Sequence, residues 1–78
     1  MNVINFIGKT FQELADNTGV LYNIAHIFVV PEENDLTGTR LMDAYNLKQV
    51  ILQFPTTADA IVVSTKEICG ETFIFIKT

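Results

Sequence analysis

The sequence predicts a small α+β domain spanning residues 1–78, with one or two helices packed on a three- or four-stranded sheet. Three observations carry this expectation. A capped helical signal follows Gly8. Two apolar runs, Val20 to Val30 and Glu71 to Lys77, are rich in β-branched and aromatic residues. Turn residues at 17–19, at 31–38 and at Gly70 cut the chain into short elements.

The first seven residues suit either a short strand or a helical turn, with Val3, Ile4, Phe6 and Ile7 as their apolar members. Thr10-Phe11-Gln12-Glu13 matches a capping box, in which a threonine hydroxyl accepts the amide three residues on. A helix from Phe11 to about Asn17 follows, burying Phe11, Leu14 and Ala15, and Asn17-Thr18-Gly19 stops it. The stripe extends backward through Ile7 and Ile4 if Gly8 is tolerated inside the helix. Val20 to Val30 then reads as a long strand ended by Pro31. Both of its faces are largely apolar, which places it centrally in a sheet.

Beyond the acidic loop 31–38, two readings compete at each of two places. Residues 39–54 form one helix with Ala44, Leu47, Val50, Ile51 and Phe54 on a stripe. Alternatively they break near Asn46, leaving Gln49 to Phe54 as a strand. Residues 57–69 show strand propensity at Ala60 to Thr65. Yet Thr56 to Asp59 resembles a helix start, and Ala58, Ile61, Val62, Thr65, Ile68 and Cys69 share one helical face. Glu71 to Lys77 reads as a strand with Phe73 and Phe75 on one side, Ile74 and Ile76 on the other. At least one of the two phenylalanines is expected in the core.

Composition narrows the function classes. Net charge is −4 and the five cations are scattered singly at Lys9, Arg40, Lys48, Lys66 and Lys77. A phosphate-tracking surface needs a cluster of cations, so direct nucleic-acid binding is not expected. The acids favour a basic partner and disfavour anionic membranes. A single cysteine cannot close an internal disulfide, and no charged leader precedes an apolar run, so the chain reads as cytoplasmic. Half the residues are apolar, 49%, and mean hydropathy is +0.31. That load in so short a chain predicts an apolar patch that meets another chain, a homodimer included. The strand Glu71 to Lys77, terminal and apolar on both faces, is the expected edge for such a contact.

No catalytic set stands out. Gly8-Lys9-Thr10 lacks the upstream glycine of a phosphate loop, since Val3 occupies that position. Glu33, Asp35, Thr37 and Gly38 lack the closing glutamate of a calcium loop, where Ala44 stands instead. His26 lies among Ile24, Ala25, Ile27 and Phe28, as a core or edge histidine does. Cys69 has no second cysteine to form a redox pair, and burial at an element end is its expected place. The acids Glu13, Asp16, Asp43, Asp59 and Glu71 each have a simpler role as cap or surface charge. No cofactor or metal is expected.

The resulting expectation is a non-enzymatic protein-binding module, an inhibitor or adaptor that occludes a site on a larger protein. Glu32, Glu33, Asp35, Phe73 and Phe75 are its contact residues. In size and composition alone it resembles small phage inhibitors of host defence. The rival reading is a small enzyme or ligand-binding subunit whose site forms at a dimer interface from His26 and Cys69.

Overall fold

A computed structural model describes residues 3–18, 20–32 and 37–78. A short 3-10 turn, Val3–Phe6, leads into α1, Phe11–Thr18. Strand β1 follows at Val20–Val29 and β2 at Thr39–Asn46. Then come α2 at Leu47–Gln53, a 3-10 turn at Pro55–Asp59, and the hairpin of β3, Ile61–Ile68, with β4, Glu71–Lys77. The strand order is β2-β1-β4-β3, with β1 and β4 parallel and both outer pairs antiparallel. A short segment at residues 8–10 adds to the outside of β3. Thr10 bridges Ile61, the Gly8 amide donates to the Val62 carbonyl, and the Val62 amide donates to the Lys9 carbonyl. With that segment the curled mixed sheet has five strands, more than the three or four expected.

Local chemistry explains most of these elements. The Thr10 hydroxyl accepts the Glu13 amide at 3.2 Å, so α1 begins where the capping box predicts, and it buries Phe11, Leu14 and Ala15. The stripe does not run back through Ile7 and Ile4. Gly8 takes φ +90°, which ends the preceding turn and leaves Ile4 and Ile7 exposed while Val3 is buried.

Residues 39–54 follow neither predicted course. The break does fall at Asn46, but the strand precedes it and the helix follows. The Asn46 side chain accepts the Lys48 amide at 3.0 Å and caps α2, whose Leu47 and Val50 enter the core. Pro55 then opens a 3-10 turn rather than a longer helix. Thr57, buried there, donates its hydroxyl to the Phe54 carbonyl at 2.7 Å. From Ile61 onward strand propensity prevails over the helical pattern, because β4 supplies a partner along the whole length of β3.

One face of the sheet carries the core. Ala25 and Ile27 of β1, Ala44 of β2, Val62 of β3 and Ile74 and Ile76 of β4 pack against Phe11, Leu14, Leu47 and Val50 of the helices. A further correction concerns β4. It lies between β1 and β3, so it is an inner strand and not the edge expected of it. Its core face belongs to Ile74 and Ile76, while Phe73 and Phe75 point to the opposite side. Phe75 is buried there, at 7% exposure, outside the helix-side cluster, and Phe73 is half-buried.

Candidate functional site

Both helices sit on one side of the sheet, and among the described residues none covers the other. An uncovered sheet face ordinarily alternates to polar side chains. Here the alternation delivers aromatic rings instead. The register sets Arg40, Phe28, Phe75 and Ser64 in one row across β2, β1, β4 and β3, and Asp43, His26, Phe73 and Lys66 in the next.

The rings form a continuous layer. His26 stacks on Phe73 with centroids 4.6 Å apart, Phe73 lies 6.3 Å from Phe28, and Phe28 lies 5.2 Å from Phe75. Lys66 places its ammonium 5.8 Å from the Phe75 centroid, within cation–π range. Each ring shelters its neighbour, which is why none of the three phenylalanines is fully exposed.

His26 is pinned from both sides. Its Nδ1 lies 2.8 Å from Asp43 Oδ1 on β2, and its Nε2 lies 3.2 Å from Glu71 Oε1 on β4. A neutral imidazole has one N–H and can donate to only one of these carboxylates, whereas the imidazolium donates to both. The geometry therefore favours the charged ring. Partial desolvation pulls the His26 pKa down, but the hydrogen bonds and charges of Asp43 and Glu71 outweigh it and raise the pKa above 6.5. Asp43 is held below 3.8, chiefly by its hydrogen bonds from Arg40 and also by His26, against the opposing effect of burial. Arg40 meets Asp43 through both Nε and Nη2.

The positions singled out from sequence fall in different places. Phe73 and Phe75 lie together on this face with His26. Glu32 is exposed on the loop after β1, and Glu33 and Asp35 lie outside the described residues. Cys69 is exposed rather than buried at an element end. It occupies the two-residue turn between β3 and β4, and with Gly70 it takes positive φ, 52° and 81°. Two positive φ values make a type I′ turn, whose twist suits a tight hairpin. Phe28, Arg40, Asp43, Lys66 and Glu71 are the members that sequence reasoning missed. The available signal was the alternation Ile24, His26, Phe28 in β1 against Glu71, Phe73, Phe75 in β4.

With both ring nitrogens of His26 engaged, the site offers a substrate no free imidazole lone pair while those contacts hold. Among the described residues no group of three or more histidine, cysteine or acidic side chains is placed to hold a metal ion. No described helix is long and apolar enough to cross a membrane. A cleft of about 420 Å³ at the end of β1 is bordered by Val29, Pro31, Gly38 and Thr78, and among the described residues no histidine, cysteine, acidic or basic side chain lines it. The aromatic face is thus the place where chemistry concentrates. Comparison of the chain with protein-family models, with curated proteins and with solved structures finds no match.

Proposed function

We propose that this chain is a non-enzymatic protein-binding module that acts as an inhibitor or adaptor, with the open sheet face as its docking surface. The observation that carries the reading is the layer of His26, Phe28, Phe73 and Phe75 on a face that no helix among the described residues covers. Specific interfaces combine an apolar, aromatic-rich centre with a polar rim. This face has that anatomy, with Arg40, Asp43, Glu71 and Lys66 around its rings.

The scarcity of cations keeps nucleic acid and anionic membranes out of the reading. The acidic run Glu32, Glu33 and Asp35, of which Glu32 is exposed on the loop after β1, steers encounter with basic surfaces. An exposed, unpaired Cys69 suits a reducing, cytoplasmic setting. No cofactor enters the proposal.

The test compares affinity capture from source lysate on the parent chain, on Phe73→Ala and on Leu52→Ser. Leu52 is 72% exposed on α2, away from the sheet face, and serves as the control. A protein retained by the parent and by Leu52→Ser but lost from Phe73→Ala supports the face as the docking surface. Identical capture on all three overturns it.

A further inference from the structure

We infer that the open face seats an acidic segment of a partner protein, an extended stretch with carboxylates four residues apart on either side of an apolar side chain. The inference rests on the reading of this face as a protein-docking surface and names the chemistry of what docks. Charge is the first argument. In a chain of net charge −4, the four strands set three of the five cations on this face, Arg40, Lys66 and Lys77, and only two of the nine acids, Asp43 and Glu71. His26 adds a further positive charge as the imidazolium that its two carboxylates favour. Both acids are already engaged, Asp43 by Arg40 and His26, and Glu71 by His26. Among the described residues no acid pairs with Lys66 or Lys77, and both lysines are exposed. The net charge of the chain repels an acidic segment, and this face is where that sign reverses.

The second argument is the direction of the rings. The His26 and Phe73 centroids lie 4.6 Å apart with planes 25° from parallel, and those of Phe28 and Phe75 lie 5.2 Å apart at 20°. Each pair joins neighbouring strands, and both separations are close to the roughly 4.8 Å between strands. Rings so close and so nearly parallel overlap face to face, so the stack runs along the sheet and the ring edges point outward. A ring edge is the positive part of the aromatic quadrupole, which adds to the attraction for carboxylates. The same arrangement argues against single-stranded nucleic acid. Bases are held on a sheet by stacking on open ring faces, and these faces are taken.

Spacing sets the pattern. Lys66 stands opposite Phe73, and Lys77 lies four residues beyond Phe73 on β4, with Phe75 between them on the same face. At about 3.3 Å per residue along the strand and about 4.8 Å across, the two lysines are roughly 14 Å apart from Cα to Cα. In an extended segment, residues i and i+4 point the same way about 13 Å apart, with residue i+2 midway. Carboxylates at the two ends meet Lys66 and Lys77, and an apolar side chain at the centre rests on the ring layer between them. Glu71 lies on the hairpin side of Lys66, and Asp43 lies on β2, two strands from β4, so neither faces this track. The acidic run past the end of β1 is left for basic groups elsewhere on the same partner.

The probe is the peptide Glu-Gly-Phe-Gly-Glu with a Gly-Ser pair at each end, titrated into the isotope-labelled chain and followed by amide chemical shifts. Shifts should concentrate on residues 64–66 of β3 and 73–77 of β4. Lys66→Glu combined with Lys77→Glu should weaken binding about tenfold or more, and should turn the preference to the same peptide with lysines in place of its glutamates. Lys48→Glu changes an exposed cation on α2, on the other side of the sheet, and should leave binding within about twofold. An acidic peptide that shifts nothing on this face overturns the inference. So does a lysine peptide that binds the parent equally well, or an oligothymidylate that seats on the same residues more tightly. Capture from lysate separates this inference from the docking reading. A partner lost on Phe73→Ala and on the double charge reversal, and displaced by the acidic peptide, supports both. A partner lost on Phe73→Ala but indifferent to the charge reversal keeps the docking surface and removes the acidic segment. Capture indifferent to Phe73→Ala removes both.

Discussion

Adjacent residues of β4 should separate stability from binding, because the strand sends Ile74 to the core and Phe73 to the open face. Ile74 is fully buried among Ile27, Val62 and the helix residues. Ile74→Ala removes three carbons at about 0.8 kcal/mol each and leaves a cavity, for a total of roughly 3–4 kcal/mol. Phe73 is half-buried and loses its stacks on His26 and Phe28, worth about 0.5–1.5 kcal/mol each, so Phe73→Ala should cost about 2 kcal/mol. A domain of this length has roughly 4–12 kcal/mol in total. Urea denaturation followed by circular dichroism reads both variants, with Ile74→Val, expected near 1 kcal/mol, as a graded check should Ile74→Ala not fold. Binding to a captured partner, or self-association, should show the reverse order: lost in Phe73→Ala, retained in Ile74→Val. A midpoint for Phe73→Ala below that of Ile74→Ala would refute the assignment of the two faces, since the larger ring would then be the core residue.

Stability should fall as pH rises from about 6.5 through the raised pKa of His26. The folded His26 pKa is raised above 6.5, so its contribution is complete below about pH 6.5 and is lost as pH climbs through the raised value. Asp43 has the opposite sign: its contribution stands above 3.8 and is lost as pH falls through its depressed value. His26→Gln should flatten the alkaline limb in a series of urea midpoints, and an unchanged limb would disprove the assignment. Cys69→Asn should raise stability by roughly 0.5–1 kcal/mol, because asparagine tolerates the left-handed conformation better than cysteine, and a lower melting temperature would count against the type I′ turn. Gly38→Ala should cost about 1–3 kcal/mol in the same assay, since an added Cβ would lie 2.1 Å from the Val29 carbonyl oxygen and backbone cannot yield cheaply; a neutral result would show that the start of β2 is free to move.

Features set by neighbours in the chain were legible from the sequence. The α1 cap at Thr10, the length of β1 up to Pro31 and the two-sided alternation of β4 all rest on contacts within a few residues, and each stands where expected. Residues 39–46 are a strand where the sequence also allows a helix, because Ala44 continues the stripe of Leu47, Val50, Ile51 and Phe54 and nothing local forbids a helix before Asn46. Pairing with β1 settles the matter, and that partner lies far away in sequence. The place of β4 was misjudged for the same reason: being last in sequence does not make a strand last in the sheet. The parallel pairing with β1 pulls it inward. The aromatic layer was half visible. Phe73 and Phe75 were named as contacts, but His26, Phe28, Asp43 and Lys66 join them only through register, which a linear reading does not contain.

His26 shows why the face is a layer and not a set of loose rings. Unsupported aromatic side chains on an open sheet lose rotamer freedom whenever they bind, and that loss weakens association. Here the imidazole is tied to β2 by Asp43 and to β4 by Glu71, and it lies flat on Phe73. Phe73 in turn backs Phe28, and Phe28 backs Phe75, with Lys66 at the end of the row. One charged ring thus holds three neighbouring strands in register and orders the apolar surface beside it before any partner arrives. The histidine that looks chemically idle in the sequence, with no base or nucleophile beside it, is the element on which the arrangement of the face depends.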